Sequence, residues 1–111
     1  MFYMKKIPFI IQRYHSQFLW RVPTEERVLY LTFDDGPTPG ITDWVLDTLE
    51  LFDAKATFFV LGKQVKEHPE LVHRMIDSGH QVGNHGYAHI DGWKSSLRAY
   101  LLDFVRARQT I

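Results

Sequence analysis

Two adjacent carboxylates, Asp34 and Asp35, and two histidines four apart, His85 and His89, are the residues of this chain best suited to chemistry. An apolar run ends in Thr32-Phe33-Asp34-Asp35-Gly36-Pro37, so the carboxylates stand where a strand gives way to a tight turn. The histidines follow about fifty positions later, a distance only a fold can close. Two imidazoles and one carboxylate are a common hydrolytic zinc set, with a fourth position open to water. Neighbouring side chains on an extended backbone point to opposite sides. One carboxylate of the pair can therefore bind metal while the other faces a substrate as a base. A metal lowers the pKa of its water toward ~7, so a weak base suffices. Alone, Asp-Asp-Gly-Pro is most often a turn, and a histidine pair at i, i+4 is more often surface or core than ligand. Together at strand ends they point to metal-assisted hydrolysis.

Bulk properties narrow the function further. The 111 residues make one domain at most. Thirteen basic residues balance thirteen acidic ones, and zero net charge gives no electrostatic basis for a nucleic-acid partner. Cysteine is absent, so any ion must be held by His, Asp or Glu. Ile7 to Ile11 is apolar apart from Pro8, too short for a signal-peptide core and far below the ~20 residues of a membrane span. No stable membrane insertion is expected, and the compartment stays open between cytoplasm and cell envelope. Residues 1–25 read as an N-terminal arm, irregular around Pro8 and Pro23, on a domain at 26–111.

The elements that must position the four residues are legible in the pattern. Val28 to Phe33 is an almost continuous apolar run, as in a strand buried on both faces. Thr42 to Phe52 reads as a helix with Thr42 as N-cap and Trp44, Val45, Thr48, Leu49 and Phe52 on its inner face. Lys55 to Leu61 is a second strand, closed by Gly62. Pro69 to Ser78 is a second helix, with Pro69 in its first turn, a stripe of Leu71, Val72, Met75 and Ile76, and Gly79 as left-handed cap. Gln81 to Asn84 is a third strand running into His85. Ser95 or Ser96 caps a last helix whose inner face is Leu97, Tyr100, Leu101, Phe104 and Val105. The alternation β-α-β-α-β-α implies an α/β fold of parallel strands and crossover helices. In such folds chemistry sits beyond the C-terminal ends of strands. Asp34, Asp35, His85 and His89 all lie there, after the first and third strands. His15, His68 and His73 read as surface residues, and His80 beside Gly79 as one that orients its loop. Trp93, shortly after the histidine pair, is the candidate for stacking on a sugar.

Three segments resemble, in order, the motifs of the polysaccharide deacetylase family, also called the NodB homology domain or carbohydrate esterase family four. They are Tyr30 to Pro37, Ala56 to Gly62, and Gly79 to His85 continuing through His89. The resemblance covers about residues 26–111. It implies the N-terminal portion of a distorted (β/α) barrel, incomplete at three units. It implies a divalent metal, usually zinc, on Asp35, His85 and His89, with Asp34 as general base. It implies an acetylated glycan as partner: chitin-like oligomers or peptidoglycan carrying N-acetylglucosamine, or acetylated xylan in some members. Metal-bound water would attack the acetyl carbonyl, and the metal with a backbone N–H would stabilise the oxyanion.

The chain departs from the family pattern at Gly86, where a Ser or Thr is usual, and at Ile90, where a proline is common. The family's later motifs, including the arginine that orients the base and the histidine that acts as general acid, have no position within 1–111. The chain is therefore expected to be a fragment or truncated product, poorly soluble or partly folded unless it associates. Its turnover is expected to be low, because such an acid contributes 10²–10⁴-fold. The alternative reading is a non-catalytic remnant or sugar-binding module. A weaker third reading keeps the metal site and changes the substrate to a small amide.

Overall fold

A computed structural model describes residues 7–111, so the first six residues of the expected N-terminal arm lie outside the described residues. The elements are helix α1 (Phe9–Tyr14), strand β1 (Leu31–Asp34), helix α2 (Ile41–Leu51), strand β2 (Ala56–Val60), helices α3 (Gly62–Glu67) and α4 (Pro69–Asp77), strand β3 (Gln81–Asn84) and helix α5 (Leu97–Thr110). The strands form one parallel sheet in the order β1-β2-β3. This is the α/β alternation the sequence implied, with two additions.

The additions are α1, in a segment expected to be irregular, and α3, which begins at Gly62 where only a strand-ending turn was expected. A six-residue helix has no stability of its own in water, and its period is too short to read. Close packing fixes α3 instead. A Cβ on Gly62 would stand 2.7 Å from Tyr87 Cδ2 and 3.0 Å from the Ala107 Cα. Glycine at this point lets α3, the loop after β3 and α5 meet backbone to backbone.

The core lies between the sheet and the helices α2, α3 and α4. It is built from Leu46 and Leu49 of α2, Ala56, Phe58 and Val60 of β2, Val65 of α3, and Val72 and Met75 of α4. Strand β2 alternates strictly, with those three residues buried and Thr57 and Phe59 half-buried. Burying each large aliphatic side chain contributes about 1.5–3 kcal/mol. Helix α4 follows its expected stripe at Leu71, Val72 and Met75, but Ile76 is exposed. Gly79 takes φ 80°, and the following N–H of His80 donates to Met75 O at 3.0 Å, closing the helix with a left-handed cap.

Several expected faces are not buried. Strand β1 is an edge, pairing only with β2 among the described residues, and Val28–Tyr30 precede it in exposed backbone. It is therefore not the doubly buried strand expected from its composition. Helix α2 is capped at Gly40, whose N–H donates to Asp43 Oδ2 at 2.9 Å, and not at Thr42. Thr42 lies inside the helix, buried, with its Oγ1 accepting from the Thr38 N–H at 2.8 Å. Trp44 is 67% exposed and, with Phe52, rims an apolar groove of about 330 Å³ floored by Phe33 and Val45. In α5, capped as expected by Ser96 through the Ala99 N–H, only Ala107 is buried; Leu97, Tyr100, Leu101, Phe104 and Val105 are exposed. These helix and sheet faces are apolar, and no described element covers them.

His80 is 6% exposed. Its Nδ1 accepts from the Ala56 N–H at 3.3 Å, and its ring meets Phe58 edge-on at 5.4 Å. Burial, and then the charge of Lys55, hold its pKa below the ordinary histidine value. The folded state thus keeps a neutral ring, whereas the unfolded chain takes a proton near pH 6.5. Stability is expected to fall as the pH drops below about 6.5, because the unfolded state then binds the extra proton. Urea midpoints measured from pH 7.5 to pH 5 should decline more steeply for the wild type than for His80→Gln, and equal slopes would contradict this.

Candidate metal centre

The register of the sheet brings the two halves of the site together. Asp34 pairs with Phe59 across β1 and β2, and Asn84 pairs with Val60 across β2 and β3. The ladder continues one step on each side, with the Leu61 N–H donating to Gly36 O and the His85 N–H donating to Val60 O, both at 3.0 Å. The segments carrying the carboxylates and the histidines therefore leave the sheet side by side, at its C-terminal edge.

Asp35 and His89 hold their backbones in the left-handed region, at φ 71° and φ 54°. Asp and His enter that region more readily than most side chains. It still costs of order 1–3 kcal/mol per residue and persists only where the surroundings over-determine it. With these bends, Asp35 Oδ1 lies 3.3 Å from Nε2 of His85 and 3.3 Å from Nε2 of His89. One ligand atom from each of the three residues falls within 4.8 Å of the others. Asp35 and His89 are exposed and His85 is half-buried, so the cluster is open to solvent.

The donor set fits a divalent ion. A tetrahedral ion with ligand bonds of ~2.0–2.1 Å spaces its ligand atoms roughly 3.4 Å apart. Both Asp35–His separations match that spacing. Two nitrogens and one oxygen without sulfur suit zinc and its neighbours in the first transition row. Three protein ligands leave a position for water or substrate.

Of the five residues singled out in the sequence, Asp35, His85 and His89 converge. Asp34, the last residue of β1, is exposed and lies outside the cluster, one position before it. Trp93 is 100% exposed in the stretch between β3 and α5, its backbone N–H donating to Asp91 Oδ1 at 2.9 Å. A cavity of about 210 Å³ adjoins the histidines, walled by Ile90, Tyr100 and Phe104.

The loop between the histidines is held by residues that the sequence reading did not select. The Gly86 N–H donates to Asn84 Oδ1 at 2.7 Å, and the Asn84 amide in turn donates to Phe104 O at 3.0 Å. Gly86 O and Tyr87 O accept from the Gly62 and Lys63 N–H groups at 2.9 and 3.0 Å. The Tyr87 and Ala88 N–H groups donate to Asp103 at 2.7 and 3.0 Å. Tyr87 is buried, with the Arg106 guanidinium 3.6 Å from its ring centroid. Asp103 gave no signal in the sequence, since at 3.6 residues per turn it stands outside the stripe of Leu97, Tyr100, Leu101, Phe104 and Val105 expected to face inward.

Parallel β/α units with a two-histidine, one-carboxylate cluster at their strand ends make an α/β scaffold with a candidate metal centre. The pattern of the polysaccharide deacetylase family matches residues 21–111, and the chain belongs to that family. It is 44% identical over 77 residues to a peptidoglycan-N-acetylglucosamine deacetylase of Bacillus cereus, covering 69% of this chain and 36% of the relative. It is 52% identical over 68 residues to a chitooligosaccharide deacetylase of Rhizobium leguminosarum bv. trifolii, covering 61% of this chain and 32% of the relative. The solved peptidoglycan deacetylase PdaC from Bacillus subtilis superposes with a TM-score of 0.75 at 38% identity, over 80% of this chain and 44% of that one. The chain thus spans about a third of the length of these curated relatives. Its sheet and helices are part of the (β/α)-barrel-like fold of such deacetylases.

Gly86 sits at φ 87°, and a Cβ there would come within 2.7 Å of Asp103 Oδ2. Gly86→Ala should therefore destabilise the chain by about 1–3 kcal/mol, from the left-handed backbone and the displaced carboxylate together. Denaturant unfolding measures this, and an unchanged midpoint would contradict it.

Proposed function

We propose that this chain carries the metal and base half of a deacetylase acting on N-acetylglucosamine-containing polysaccharide, chitin-like or peptidoglycan. The observation that supports it most is the convergence of Asp35, His85 and His89 beyond two parallel strands, with Asp35 Oδ1 3.3 Å from both imidazole nitrogens. In this reading those three residues hold a divalent ion, zinc by preference. Residues 26–111 form the deacetylase portion, with 1–25 as an arm. The named relatives supply the substrate class, since one acts on peptidoglycan and another on chitooligosaccharide.

The ion, when bound, supplies Lewis acidity at the acetyl carbonyl and a water made acidic enough to react near neutral pH. Asp34 acts as general base. It sits one residue from the ligand Asp35, exposed at the end of β1 and outside the three-residue cluster, which leaves its carboxylate free for a proton. It takes the proton of the attacking water as the new carbon–oxygen bond forms. The carbon–nitrogen bond then breaks as the departing nitrogen takes up a proton from solvent, releasing acetate and the free amine of the sugar. Trp93, fully exposed after the histidine loop, offers a ring face for a sugar to stack on.

Zinc titration of purified chain separates these roles. Asp35→Ala and His89→Ala are expected to abolish stoichiometric Zn²⁺ binding, whereas Asp34→Asn keeps it. Acetate release from an N-acetylglucosamine oligomer is expected to require both Zn²⁺ and Asp34. Zinc affinity unchanged by both ligand substitutions would overturn the proposal. Zinc binding without any acetate release, with oligomer binding that depends on Trp93, would favour a sugar-binding module instead.

A further inference from the structure

Asp103 belongs to α5, fourteen residues beyond His89, yet both of its carboxylate oxygens serve the loop between the histidines. Oδ2 accepts from the Tyr87 N–H at 2.7 Å and Oδ1 from the Ala88 N–H at 3.0 Å. Hydrogen bonds from backbone N–H to a carboxylate are about twice as strong as neutral ones. The opposite side of the same loop is tied to the first turn of α3 through Gly86 O and Tyr87 O. The segment 86–88 is thus clamped from two helices, and Asp103 supplies the α5 side of the clamp.

We infer that Asp103 is a positioning residue for the candidate metal centre: by fixing Tyr87 and Ala88 it sets where His89 stands relative to His85. The inference rests on the reading of those histidines as ion ligands. Ala88 immediately precedes His89, whose φ of 54° must be enforced from outside, because the left-handed region is unfavourable for a side-chain-bearing residue. The Ala88 N–H bond to Asp103 lies at the hinge of that bend. Gly86 completes the device, since a Cβ at 86 would stand 2.7 Å from Asp103 Oδ2 and force it to shift. The family resemblance anticipates a hydroxyl residue at 86. Here a carboxylate from a distant helix holds the loop.

Partners that orient ligands without touching the metal typically control 10–100-fold of metal affinity. Asp103→Ala is expected to weaken Zn²⁺ binding by about 10–100-fold in competition with a chromophoric chelator. Asp103→Asn keeps one acceptor and turns an NH₂ toward the other N–H, so its affinity should fall between. Arg106→Ala removes the neighbouring cation–π contact from the same helix but leaves both N–H bonds, so it should cost stability and not zinc affinity. Co²⁺ in place of Zn²⁺ adds a direct view of geometry: its visible spectrum should change in Asp103→Ala and not in Arg106→Ala. Wild-type affinity and spectrum in Asp103→Ala would overturn the inference. So would an equal loss in Arg106→Ala, which would assign the effect to helix docking in general. If Asp103→Ala does not fold, wild-type affinity in Asp103→Asn overturns it as well. A wild-type chain that binds neither ion would instead remove the metal reading on which the inference rests.

Discussion

The parallel ladder on both sides of β2 is the constraint on which the candidate centre depends. Its register places the end of β1 opposite Phe59 and the end of β3 opposite Val60, so two segments about fifty residues apart emerge level. Each continues the ladder by one bond before turning away. A slip by one residue would move every side chain of the slipped strand to the other face of the sheet. The alternation of buried Ala56, Phe58 and Val60 against the helices opposes that slip, since it would exchange them for Thr57 and Phe59. Core packing and site geometry are therefore one problem, solved by the same strand.

Local strain is the second theme. Asp35 and His89 both stand in a backbone region that side chains avoid, and both contribute an atom to the cluster. Such residues persist where hydrogen bonding around them leaves no alternative. Around His89 that bonding is visible: Asn84, the first turn of α3 and Asp103 between them satisfy five backbone groups of residues 86–88. Glycines at 62 and 86 permit it, one by letting helices approach and one by leaving room for a carboxylate. Stability and preorganisation are drawn from the same contacts.

Much of this was legible in the residues. The α/β alternation, the second helix with its cap at Gly79, and the convergence of strand ends followed from periodicity and from Gly and Pro placement. Donor chemistry pointed to the histidine pair with one of the two carboxylates, and the family resemblance implied Asp35 as that one; an atom from each of the three lies within 4.8 Å of the others. The misses have a common cause. Helix α3 is too short to show a period, and Gly62 and Asp103 act through contacts between segments far apart in sequence. Burial of Trp44, Phe52 and the apolar side of α5 was expected from helical spacing, but burial depends on a partner surface that no described element provides. An apolar face states what a helix can pack against, not that something packs there.

The most direct measurement is X-ray absorption at the zinc edge on the Zn²⁺-loaded chain. Two imidazoles and a carboxylate from Asp35, His85 and His89 predict one ion per chain in four-fold N/O coordination, with first-shell distances of ~2.0–2.2 Å and multiple scattering from two histidine rings. Six-fold oxygen coordination without imidazole scattering, or a spectrum unchanged in His89→Ala, would contradict that centre.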